Sequence, residues 1–87
     1  MNELLLKKLE QKIQDTISNK DDLGELIKLL SNIDDSKPFA LGVVVGRIYN
    51  AFFYQSKRIL DREPTKNEFD EFLEFIKNKK SDLENLW

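Results

Sequence analysis

Only two prolines and three glycines interrupt these 87 residues. Both prolines, Pro38 and Pro64, stand where a helix opens rather than where a strand turns. Proline suits the first turn of a helix, because its missing N–H is unpaired there in any case. So few breakers cannot supply the frequent turns of a many-stranded sheet, and the chain is expected to fold as a few long helices. A chain of this length makes one domain, residues 1–87, with a core just large enough to fold alone.

Apolar spacing divides the chain into four helices. The first covers about 2–18, with Asn2 as its cap and a stripe of Leu6, Leu9, Ile13 and Ile17. The turn Asn19-Lys20-Asp21 ends it, with Asn19 suited to a left-handed C-terminal conformation. The second, about 22–31, starts at the variant capping box Asp22/Glu25 and buries Leu23, Leu26, Ile27 and Leu30. A polar linker, 32–37, precedes Pro38, which pushes Lys37 out of the helical region.

The third helix, about 38–60, is the centre of the domain. Leu41, Val44, Val45, Ile48, Tyr49, Phe52, Phe53, Ile59 and Leu60 spread over half of its circumference. A stripe that wide must touch more than one neighbour. The fourth helix, about 66–86, opens with Thr65 and Glu68 as a capping box. Its apolar face is read as Phe69, Phe72, Leu73, Ile76, Leu83 and Trp87. The expected architecture is an all-α, compact four-helix bundle-like domain. Its long third helix packs on the first and fourth, and the short second helix closes one end.

Composition removes the usual routes to catalysis. There is no cysteine, hence no disulfide, thiolate nucleophile or thiolate metal site. There is no histidine, the side chain best matched to proton transfer near neutral pH and a frequent zinc ligand. Glu68, Asp70, Glu71 and Glu74 recur at helical spacing, but bundle metal sites pair such carboxylates with histidine. They are read as a solvated face. No enzyme activity, cofactor or metal is expected. Glu3 and a short apolar run do not make a signal peptide, and Arg47 and Asn50 interrupt the most apolar stretch. A cytoplasmic protein with no membrane association is expected.

Three features carry the functional expectations. First, charge is unevenly distributed. Residues 37–66 hold six basic and two acidic side chains, whereas 1–36 hold five and eight and 67–87 hold three and six. Arg47, Asn50, Tyr54, Lys57 and Arg58 share one side of the third helix. Cations neutralise phosphates, tyrosine stacks on a base and asparagine reads an edge, so this side is a candidate anion or nucleic-acid face. The plainer reading is that these charges pair with the acidic helices on either side.

Second, Gly42 and Gly46 lie one turn apart and leave a smooth patch. Glycine weakens a helix, so the space should be used, either by a close crossing inside the fold or by a dimer or partner helix. Third, most of the aromatic residues belong to the core, but Phe75 lies off the stripe of its helix and Tyr54 on the polar side of the third. Both are candidate interface aromatics.

Leu60-Asp61-Arg62-Glu63-Pro64-Thr65-Lys66-Asn67-Glu68 resembles the helix-opening segment in the third region of bacterial sigma factors. Phe69-Asp70-Glu71-Phe72-Leu73 lacks the small-residue helix-turn-helix pattern that should follow. The resemblance therefore implies shared capping physics and no family. The expected function is a non-catalytic helical protein-interaction module, either a homodimer or an accessory subunit. The alternative is a small nucleic-acid-binding domain using the basic face of the third helix.

Overall fold

A computed structural model describes residues 1–30 and 37–86, and its axis is one long helix. The elements in order are α1 (Glu3–Ser18), α2 (Lys20–Leu30), α3 (Lys37–Leu60) and α4 (Lys66–Glu84). The 24 residues of α3 extend about 36 Å at 1.5 Å per residue. They account for most of the longest dimension of a 40 × 20 × 19 Å molecule. α3 packs on α1, α2 and α4, as its broad apolar circumference requires. The result is the expected all-α four-helix arrangement, with no strand among the described residues. None of the described helices is long and apolar enough to cross a membrane.

The helix ends follow local hydrogen-bond chemistry. Asn2 Oδ1 accepts from the Leu5 N–H at 3.0 Å and caps α1. Thr65 Oγ1 accepts from the Glu68 N–H at 3.2 Å, while Glu68 Oε1 accepts from the Thr65 N–H at 2.8 Å. The capping box of α4 is thus complete. α4 runs unbroken through Ser81, so no separate last turn forms before Glu84.

Two junctions differ from the expected ones. Asn19 has φ −101° and ψ 17°, not a left-handed conformation. Its backbone N–H donates to Asp15 O at 3.0 Å and its side-chain Nδ2 to the same oxygen at 2.9 Å. α2 then starts at once, with the Leu23 N–H donating to Asn19 O at 3.0 Å. The Asp22/Glu25 box is therefore not the start of α2, because Asn19 already closes one helix and opens the next. The left-handed position is Asp61 (φ 56°), which ends α3. α3 also takes in Lys37, one residue before the proline boundary. The linker expected at 32–36 and Trp87 lie outside the described residues.

The core joins Leu5, Leu9 and Ile13 of α1 to Val44, Ile48, Ala51 and Phe52 of α3 and to Phe72, Phe75, Leu83 and Leu86 in and after α4. Phe52 and Phe72 stack with centroids 4.4 Å apart and ring planes 13° apart, which locks α3 to α4. Two stripes are rotated from their expected positions. In α1 the seam is Leu5, Leu9, Ile13 and Thr16, while Leu6 is exposed and Ile17 half-buried. In α4, Phe75 is buried and Leu73 is half open to solvent. The cause in α4 is Lys79, which lies in the middle of the seam and hides its pattern. Its stem covers the core, its Nζ sits 5.7 Å from the Phe75 ring centroid, and it pairs with Glu10 of α1 at 2.9 Å. In α2 only Ile27 is fully buried; Leu23 is half-buried and Leu26 exposed, and the side chain of Leu30 lies outside the description.

Candidate functional site

The residues grouped on one side of α3 fall into distinct environments. Arg47 is half-buried and tied to α1, donating from Nε to Thr16 Oγ1 at 3.1 Å. Thr16 in turn donates to Lys12 O at 2.8 Å. Lys57 lies 3.8 Å from Glu63 in the turn after its own helix. Arg58 is exposed and within ion-pair distance of no carboxylate among the described residues. Pairing with the acidic helices therefore does not account for this positive block.

Asn50 and Tyr54 line an open groove of about 290 Å³ along the α1–α3 seam. Its other wall is α1, which contributes Lys8, Gln11, Lys12 and Asp15. Lys8 and Lys12 escaped the sequence reading because they lie in another helix. Their spacing of one turn, on the α1 side next to its expected neighbour, was the available signal. Gln55 and Ala51 form the floor. The Oε1 of Gln55 is enclosed with no hydrogen-bond partner.

Gly42 and Gly46 are exposed, and a Cβ built at either meets nothing within 4 Å. The close crossing inside the fold is therefore not made among the described residues. α1 and α4 pack on other sides of α3. The glycines face outward, with Phe39 and Tyr49, 39% and 41% exposed, beyond them at either end. Tyr49 also lies edge-on to Phe53 at 5.1 Å and to Phe69 at 6.3 Å, which holds it at the rim of the α3–α4 aromatic cluster. Phe75, at 8% exposure, belongs to the core beneath Lys79 and is not on an open surface.

A second crevice, of about 180 Å³, lies where α2, the start of α3 and the end of α4 converge, lined largely by Ile27, Ala40, Leu41 and Leu83. It has no charged group in its apolar floor to orient a ligand. The carboxylates of α4 are mostly engaged. Glu68 meets Arg62 at 2.6 Å, Asp70 meets Lys66 at 2.6 Å, and Glu71 meets the amino group of Met1. Arg62, followed by the Thr65 backbone N–H, holds the Glu68 carboxyl at about 2, well below its ordinary value. Glu68 in turn raises the pKa of the Arg62 guanidinium through their hydrogen bond. This is the chemistry of a stabilised turn. Comparison with protein-family models, with curated proteins and with solved structures finds no match.

Proposed function

We propose that this chain is a non-catalytic interaction module that associates with a second copy of itself through the outward face of α3. The observation that carries the reading is the open space above Gly42 and Gly46. Helix interiors rarely spend two glycines on a solvent face, since each costs about 1 kcal/mol relative to alanine. A second helix lying across them would use the space, because small residues let backbones approach closely.

The spacing of this face favours another copy as the occupant. Phe39 lies three residues before Gly42, Gly46 four after it, and Tyr49 three further on. In an antiparallel crossing centred between the glycines, glycine meets glycine. At each end, Phe39 of one copy and Tyr49 of the other reach the same level on opposite sides of the crossing. Such a self-complementary patch is what a two-fold interface needs. The lack of histidine and cysteine supports a role without catalysis, and a cysteine-free chain suits a reducing, cytoplasmic setting.

Light scattering across a range of protein concentrations tests the proposal. A mass approaching two chains is expected, returning to one chain in Gly46→Leu with helicity unchanged. A single-chain mass at the highest concentration reached would overturn it.

A further inference from the structure

We propose that the groove along the α1–α3 seam binds single-stranded nucleic acid, with phosphates on the α1 lysines and a base on Tyr54. This groove lies on another side of α3 from the outward glycine face, and the inference does not depend on self-association.

The argument begins with where unpaired positive charge collects. In the second half of the chain, Lys57, Arg62, Lys66, Lys79 and Lys80 each have a carboxylate within ion-pair distance. Lys8, Lys12, Arg47 and Arg58 have none among the described residues. Lys8 and Lys12 belong to the α1 wall of the groove. Arg47 and Arg58 lie on α3 at either end of the stripe that holds Tyr54, spaced so that all three share one side of the helix. Against these four cations the groove holds one carboxylate, Asp15, at the end nearest Thr16. The local field is positive although the chain carries a net charge of −2.

The two walls are complementary in kind. The Thr16–Arg47 hydrogen bond sets the register of antiparallel α1 and α3. It brings Lys12 level with Ala51 and Lys8 level with Gln55, so each lysine faces the Asn50–Tyr54 edge. Lys8 and Lys12 are one helical turn apart, a spacing of about 5–6 Å that lets them follow a chain of phosphates instead of clamping one. Tyr54 is 59% exposed and offers a ring face beside that track, and Asn50 and Gln11 add amides that both donate and accept. A cationic track next to an exposed aromatic ring is the arrangement by which proteins hold unpaired strands. An acidic peptide would satisfy the lysines and leave the ring unused. Phosphate with an attached base is also the chemistry of a free nucleotide, and the test separates the two sources.

The experiment is fluorescence anisotropy of labelled twelve-residue oligo-dT and oligo-rU against the intact protein, at low and at moderate salt. The unchanged protein should bind, and affinity should fall steeply with salt. Lys8→Glu/Lys12→Glu should weaken binding at least tenfold, and Lys8→Ala/Lys12→Ala should lower the slope of log affinity against log salt by about 1. Tyr54→Ala should weaken binding several-fold and leave that slope unchanged, and Tyr54→Trp should restore it. Lys77→Glu, an exposed lysine on α4, should leave binding unaltered. Circular dichroism of each variant establishes that it is folded. Unlabelled AMP and polyglutamate serve as competitors. A strand that outcompetes AMP assigns the site to nucleic acid, and AMP bound as tightly as the strand assigns it to a nucleotide. No binding at low salt, equal binding by the lysine variants, or displacement by polyglutamate with no effect of Tyr54→Ala would each overturn the proposal.

Discussion

Arg47 of α3 donates a 3.1 Å hydrogen bond from Nε to the hydroxyl oxygen of Thr16, which is fully buried in α1. The hydroxyl passes its own hydrogen to the carbonyl of Lys12 at 2.8 Å. One threonine therefore satisfies a cation from the neighbouring helix and is oriented by its own. This contact fixes how α1 and α3 slide past each other, and hence which lysines face Tyr54. Thr16→Val keeps the shape and removes the acceptor, so it should destabilise the fold by about 1–2 kcal/mol. In a double-mutant cycle with Arg47→Met, chemical denaturation should give a coupling of about 1 kcal/mol. Additive effects would mean that the pair contributes nothing beyond its separate parts.

Ser56 presents the opposite case. Its hydroxyl is buried in α3 with no hydrogen-bond partner. Burying an unpaired hydroxyl is unfavourable, and alanine is the better helix former. Ser56→Ala should raise stability by about 1 kcal/mol, seen as a melting temperature higher by roughly 4–8 °C for a domain of this size. A lower melting temperature would show that the hydroxyl is satisfied in solution.

Gly42 and Gly46 allow stability and association to be read separately. Because a Cβ at either position meets no neighbour, Gly42→Ala and Gly46→Ala should each stabilise the single chain by up to about 1 kcal/mol. If a second copy uses the patch, the same changes should weaken self-association measured by sedimentation. Loss of single-chain stability in either variant would place a neighbour over that glycine.

Glu68 gives a pH signature. Its folded pKa of about 2, set first by Arg62 and then by the Thr65 N–H, lies below the ordinary 4.5. The group therefore stabilises the fold above pH 4.5, and this contribution fades as pH falls toward 2. Arg62 is about half exposed, so solvent screening keeps the effect near 1 kcal/mol at neutral pH. Glu68→Gln should be less stable by about that amount at pH 7, and the gap should close on acidification. A gap that is the same at pH 7 and pH 3 would show that the carboxylate charge contributes nothing.

What was legible in the sequence was local. Asn2, Thr65 with Glu68, the two prolines and the four apolar runs specify the number of helices, most of their ends and the all-α class. Each rests on hydrogen bonds and spacings within a few residues. The rotation of each helix about its own axis was decided by tertiary structure. An apolar stripe leaves that rotation uncertain by about one residue, and one residue is 100°. Leu5 and Leu6 are equivalent as letters, as are Phe75 and Leu73 as apolar residues, and only packing against α3 chose between them. Polar residues inside the seams, Thr16 and Lys79, blurred the stripes further, because their value depends on partners in other helices. The same holds for the candidate surfaces. The sequence placed Asn50 and Tyr54 on one side of α3, but the groove exists only because α1 brings Lys8 and Lys12 beside them. It likewise marked Gly42 and Gly46 as space to be used, and the fold leaves that space on the outside.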